Sequence, residues 1–444
     1  MNNTIKLAVA SALLATASSA SAAGGIVAGD WTLDIGGIVN AYYTSTKHTG
    51  ASATDANGGL TAAGNEGGAP KLANITTGLL PNYLTVGGKT RQNDLDVAFL
   101  ISIQPGGSTN SGASGGYGME TRQQFLTFGD ASWGSFKFGK DLGIFASDAI
   151  LNDMTLLGVG SASGNRVGST TTLGRIGTGY IYADWKNQVS YTSANFNGLS
   201  FTAGVTQAWN QVSVNGGDAS TQMGGNQPAF EAKVSYAFNA DAVTGKVWAS
   251  GISQKNKNVG ATDAVAAGSV VWTGSGSAAN TSSQSASSAA IAGTNSTANA
   301  YDIGANINAA GFGLTGYYFT GEGIGHQAQM FGGYDANGQK RDSDGYYVQA
   351  TYALPGVGTK LGVSYGQSNL DMNTSEKATQ GDLKSKMLTF GAYHPLTKHL
   401  NLVAEYSEVK DTEAGYAMTS STSDDVAKAT SKQKIVSLGA ILFF

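Results

Sequence analysis

The sequence predicts an all-β protein, a closed antiparallel transmembrane β-barrel of about sixteen strands. Three observations carry that expectation. Apolar and polar side chains alternate with period two over segments of about ten residues. The connections between those segments run short, then long. No stretch beyond the N-terminus supplies the roughly 20 consecutive apolar residues that a membrane helix requires, so a chain that spans a bilayer here must do so with strands.

The N-terminus reads as an export signal. Lys6 gives a short positive region, Leu7 to Ala17 is apolar and small, and Ala20-Ser21-Ala22 is a small-x-small cleavage pattern. Residues 1–22 are therefore expected to be removed, leaving 23–444 as one barrel domain without an internal boundary. Charged residues are 13% of the chain, about half the share of a soluble domain. The formal charge is −4 with no basic stripe, which excludes a nucleic-acid footprint.

The first segment sets the pattern. From Trp31 to Tyr43 the odd positions are Trp, Leu, Ile, Gly, Val, Ala and Tyr, while the even positions are mostly polar. Leu95 to Ile103, Leu199 to Val205, Phe230 to Phe238, Tyr301 to Ile307 and Lys434 to Phe444 repeat it. A soluble sandwich also alternates, but its strands average about five or six residues. Charge sits almost entirely on one face, as expected where Lys or Arg facing lipid costs about 2–4 kcal/mol at the bilayer midplane. Aromatics gather at segment ends (Tyr42, Tyr43, Phe238, Tyr317, Tyr318, Phe443, Phe444), where interfacial girdles belong.

Short connections are expected at Asp130–Gly134, Ala194–Gly198, Ala309–Gly313, Pro355–Thr359 and Thr397–His399. Long ones are expected at Thr44–Leu80, Pro105–Gly118, Asp141–Gly177, Ala208–Pro228, Lys255–Ala298, Gly323–Asp344, Leu370–Leu383 and Asp411–Ser431. Short turns on one side and long loops on the other are the asymmetry of an outer-membrane barrel. About sixteen strands enclose a water channel, where eight leave a packed interior.

Motifs sharpen the reading. Arg122-Gln123-Gln124-Phe125-Leu126-Thr127-Phe128 is followed by Trp133-Gly134-Ser135-Phe136-Lys137-Phe138-Gly139-Lys140. Further on come Asn187-x-Val189-x-Tyr191-x-Ser193, Phe196 and Gly198, and the chain closes on Phe444. In order and spacing these resemble the general porins of Gram-negative outer membranes, over essentially the whole chain. Three departures stand out: Lys140 where the family has Arg, Ala194 where it has Pro, and an unmatched turn at Lys89–Asp94.

The resemblance implies a homotrimer in the outer membrane, surrounded by lipid and lipopolysaccharide, passing ions and small hydrophilic solutes by passive diffusion. It also implies that the long third loop, Asp141–Gly177, folds into the lumen. Asp148 and Asp153 on that loop are then the acidic side of a constriction, and Arg122, Lys137 and Lys140 are the candidate basic wall. Such a pairing sets a transverse field across a wet gap. Arg166 and Arg175 in the same loop would move the balance toward anions. An alternative is a substrate-selective channel for a sugar or another nutrient, with Tyr42, Trp248 and Tyr317 as aromatic contributors.

Other motifs lack their required context. Gly112 to Gly116 matches a nucleophile-elbow string, and Gly311 to Gly316 a dinucleotide fingerprint, yet neither opens a helix. The four His residues have no metal-ligand spacing. Asp335-Ala336-Asn337-Gly338 faintly resembles a calcium loop but lacks its terminal Glu. No catalytic set, metal site or cofactor is expected.

Overall fold

The alternating segments pair edge to edge into one antiparallel sheet that closes on itself. The computed structural model describes residues 25–50, 60–61, 71–105, 119–162, 171–210, 227–259, 270–273, 281–284, 293–335, 337–377, 381–417 and 426–444. The export signal at 1–22, the Gly112–Gly116 string and Arg166 lie outside the described residues.

Sixteen strands form the ring. They are β1 (Trp31–Gly50), β2 (Tyr83–Gln92), β3 (Leu95–Ile103), β4 (Gln124–Asp130), β5 (Gly134–Leu142), β6 (Trp185–Ser193), β7 (Leu199–Thr206) and β8 (Ala229–Ala240). The second half comprises β9 (Val243–Val259), β10 (Thr294–Ala309), β11 (Phe312–Glu322), β12 (Asp342–Ala353), β13 (Lys360–Asp371), β14 (Asp382–Pro395), β15 (Leu400–Ala417) and β16 (Val426–Phe443). Each pairs with the next, and β16 returns to β1 in the register Ile38↔Phe443 to Gly50↔Ser431. The last residue completes the seam: Gly37 N donates to the Phe444 carbonyl at 2.9 Å, and Phe444 N to the Gly37 carbonyl at 3.1 Å. A closed ring leaves no sheet edge in hydrocarbon, where an unpaired backbone group costs several kcal/mol.

Side-chain exposure follows the period. On β10, Tyr301 and Ile303 are 63% and 60% exposed, whereas Asp302 between them is 5% exposed. On β1, Ile35, Val39 and Tyr43 are exposed and Ile38 and Tyr42 are buried. Large apolar side chains thus form outward rows around the ring, a surface that water would penalise and lipid accepts.

The same parity corrects the aromatic girdle. Tyr43, Tyr318 and Phe444 point outward, but Tyr42 and Tyr317 are buried on the inner face, because neighbours along a strand point to opposite sides.

The short turns fall where expected, and the strands overrun the expected loops. β1 continues to Gly50, β9 to Val259 and β15 to Ala417, and β16 begins at Val426. Past the hydrocarbon neither face has to be apolar, so the sequence reads as loop while the backbone ladder continues. Lys71–Thr76 is also strand, paired with Tyr42–Lys47 of β1. It forms the outer half of the second barrel strand, and residues 77–82 leave the ladder between it and β2. Pro81 has no N–H to give to a ladder. Asn40 satisfies the detour instead, accepting from Gly78 N at 2.9 Å and donating to the Leu80 carbonyl at 3.0 Å.

The turn between β2 and β3 is Asn93-Asp94, with φ of 49° and 62°. Two consecutive left-handed residues match the twist of a two-residue hairpin.

The third long connection runs from 143 to 184. It carries α1 (Ser147–Leu151) and a short 3-10 turn, Met154–Leu157. Its backbone is hydrogen-bonded to buried-face side chains of many strands. Ile144 N and Phe145 N donate to Glu231 on β8, and Met154 N to Gln349 on β12. Val159 N and Gly160 N donate to Glu405 on β15, and the Tyr42 hydroxyl on β1 donates to the Leu157 carbonyl. The largest apolar cluster lies between this connection and the strands, with Phe145, Ile150, Leu156 and Tyr180 against Trp248, Phe319 and Tyr347.

Candidate functional site

The charged residues of the third connection do not all have the partners expected from the sequence. Asp148 lies in the first turn of α1, after Ala146 at φ 61° turns the chain. Its carboxylate is 2.9 Å from Lys233 Nζ on β8 and 2.5 Å from Lys246 Nζ on β9. Arg122, Lys137 and Lys140 are not its ion-pair partners among the described residues. Burial pushes the Asp148 carboxyl up, but the two ammoniums outweigh it and hold it below the usual carboxylate range.

Asp153 has a local task. Its Oδ1 accepts from Thr155 N at 2.9 Å and its Oδ2 from the Thr155 hydroxyl at 2.6 Å, capping the 3-10 turn. The Tyr180 hydroxyl donates to the same Oδ2 at 3.0 Å. This carboxylate is buried and lies within electrostatic reach of Arg175.

On the wall, Arg122 Nε lies 3.1 Å from Glu120 just before β4. Lys137 on β5 pairs with Asp141, four residues on, and lies over the Phe125 ring at 4.7 Å. Lys140 sits on the opposite strand parity from Lys137 and Asp141. With Lys186 and Arg122 it acts on the Asp184 carboxyl, which burial nevertheless pushes up.

Arg175 is fully buried. Its Nη1 donates to the Met387 carbonyl on β14 and its Nη2 to the Ser364 carbonyl on β13, each at 3.0 Å. Burial lowers its pKa, opposed by Asp153. An arginine stays charged even so, and here it pins the connection to the wall instead of facing solvent. Tyr42, Trp248 and Tyr317, the aromatic contributors expected of a sugar path, are likewise buried. The Tyr317 hydroxyl donates to Asp302 at 3.0 Å.

Lys233, Lys246, Lys186 and Glu231 are the functional candidates that sequence reading missed. Lys186 and Glu231 are 2.7 Å apart and fully buried. Thr206 and Gln329 complete their hydrogen bonding, which is the condition for a buried ion pair to be tolerated. The available signal was parity. Glu231, Lys233 and Lys246 all stand on the polar alternation of neighbouring strands.

Asp335 accepts from Asn337 N and Gln339 N through Oδ1 and from Asn373 and Ser375 through Oδ2. Its oxygens thus organise an Asn-Gly turn.

Between Arg122 and the third connection lies a partly open cavity of about 180 Å³. The wall side carries Arg122, Gln104 and Gln123, and the connection contributes Ile150, Leu156 and Ile176.

Comparison with known proteins fits this architecture. The sequence profile of a family described as Gram-negative porin matches residues 8–414. No curated protein sequence matches. Among solved structures, the anion-selective porin of Comamonas acidovorans superposes with a TM-score of 0.57 at 14% identity, covering 93% of this chain and 100% of that one. The outer-membrane channel DcaP of Acinetobacter baumannii gives 0.59 at 14%, covering 94% and 100%. Salmonella typhi OmpF in complex with daunomycin gives 0.54 at 15%, covering 95% and 100%. At such identities the likeness is one of fold.

Proposed function

The chain belongs to the Gram-negative porin family, and from that premise we infer that it forms a water-filled outer-membrane channel for passive diffusion of ions and small hydrophilic solutes. The closed sixteen-strand ring carries this reading. Apolar rows face lipid while polar side chains of the alternate parity line the interior. Nothing in such a conduit requires chemistry, so the protein acts as a channel rather than an enzyme.

We propose further that 143–184 narrows the lumen. Its hydrogen bonds to β1, β8, β12 and β15 support this, since one segment reaches those separated strands by crossing the interior. Arg122 and Lys137 are offset by Glu120 and Asp141, whereas Lys233 and Lys246 leave one excess positive charge around Asp148. A modest anion preference follows, in keeping with the anion-selective neighbour of the same fold. Lys140 and Asp153 contribute less, by parity and by capping. The mature chain begins at Ala23 in this reading, and the assembly is a homotrimer.

Single-channel recording in a planar bilayer tests the proposal. Ohmic KCl steps arriving in groups of three, with a reversal potential toward the chloride equilibrium in a salt gradient, are the expected result. Absence of conductance overturns the channel. A cation-sided reversal potential overturns the charge assignment.

A further inference from the structure

The cavity beside Arg122 has an unusual lining for a path of hydrophilic solutes. Its wall side carries the Arg122 guanidinium, Gln104 and Gln123 beside Tyr83, Leu142 and Trp185. The opposite side is apolar, built by Ile150, Leu151, Leu156, Leu173 and Ile176 of the third connection, and closed by Leu79 and Pro81 of the β2 detour. Two acidic side chains of the connection are turned elsewhere, and a third, Asp184, lies within electrostatic reach of Arg122. Asp148 is held by Lys233 and Lys246, and Asp153 by Thr155 and Tyr180.

The position of this surface is built rather than incidental. Leu79 N donates to the Gly158 carbonyl at 2.8 Å, and Thr172 N to the Gly78 carbonyl at 3.0 Å. The strand break and the connection therefore hold each other in place, and the apolar side chains follow.

We propose that this cavity is a retention site for small amphipathic anions, a monocarboxylate carried on one aromatic ring. The inference rests on the channel reading and adds a solute class to it. Size agrees: an apolar cavity of about 150 Å³ holds benzene, and this one measures about 180 Å³. Polarity agrees as well. A ring buries against the leucines and isoleucines while its carboxylate meets the guanidinium, the side chain best matched to a planar anion. Gln104 orders that end, since its Oε1 accepts from Arg122 N at 2.9 Å. The Glu120 carboxylate, 40% exposed, lies 3.1 Å from the Arg122 side chain, which is 14% exposed, and a dissolved carboxylate must compete with it for the guanidinium.

Three probes added to KCl during planar-bilayer recording test this: benzoate, acetate and benzyl alcohol. Benzoate is expected to reduce current saturably, with a half-blocking concentration at least about tenfold below those of acetate and benzyl alcohol. Arg122→Gln should remove the preference for benzoate over benzyl alcohol. Leu151→Asn, at a half-buried position, should remove the preference over acetate, with an unheated gel confirming that each variant has folded. Equal block by benzoate and acetate, or undiminished benzoate block in Arg122→Gln, overturns the inference. Should the protein give no KCl steps at all, the channel reading fails separately. Equilibrium dialysis of benzoate against the detergent-solubilised protein then decides the site: saturable binding lost in Arg122→Gln sustains it, and no binding overturns it.

Discussion

At the scale of single residues, the interior is organised by carboxylates that hold the third connection. Asp148 lies between two ammoniums, and its replacement by Asn releases both charges. Asp148→Asn is expected to move the reversal potential further toward the chloride equilibrium, read in a KCl gradient; an unchanged or cation-sided value contradicts the assignment. The acid dependence follows from the depressed carboxyl pKa. A carboxylate with a lowered folded-state pKa stabilises the fold above its unfolded pKa, near about 3.9, and that contribution fades as pH falls through the folded value. The difference in conductance between parent and Asp148→Asn should stay constant from about pH 8 to 5 and collapse only below about 4. A midpoint near neutrality argues against the double lysine pairing. Lys186 offers a sharper stability test. Lys186→Met removes the ion-pair partner of the buried Glu231, at a cost of up to about 3–5 kcal/mol, measured as a lower urea midpoint for the barrel refolded in lipid.

At the scale of elements, the described parts of the third connection are tied to the strands at several points, from Ile144 to Arg175. Gly158 passes so close to Glu405 that a Cβ there would sit 2.1 Å from the carboxylate oxygen, so a larger residue would have to displace the side chain that holds Val159 N and Gly160 N. Arg175→Ala removes the hydrogen bonds to Met387 and Ser364. It is expected to increase open-channel current noise while leaving the strand signal in circular dichroism intact; quiet steps like those of the parent would contradict a pinning role.

The strands of this element level were legible in the sequence because hydrocarbon imposes period two, as Tyr301 to Ile307 illustrate. Strand ends were not, because outside the bilayer the constraint relaxes. Thr44, Thr46 and His48 of β1 still alternate into the interior, yet nothing apolar marks their other face. The site was legible in part. Arg122, Lys137 and Asp148 were identifiable as charged residues on motif strands or the long loop. Their partners depend on strand register and on long-range contacts that no local pattern encodes, which is why the pairing of Asp148 with Lys233 and Lys246 was not legible.

At the scale of the whole molecule, one geometric proposition supports the rest: alternate side chains around the ring meet lipid and water. The chain has no Cys, so single cysteines report cleanly. Ile303 and Asn306 lie on the same strand, β10, with opposite parity. In reconstituted liposomes, a membrane-impermeant thiol reagent is expected to label Asn306→Cys and spare Ile303→Cys, while a lipid-soluble reagent labels Ile303→Cys. Labelling of Ile303→Cys from water, with Asn306→Cys accessible only from the bilayer, would contradict the barrel orientation and the channel with it.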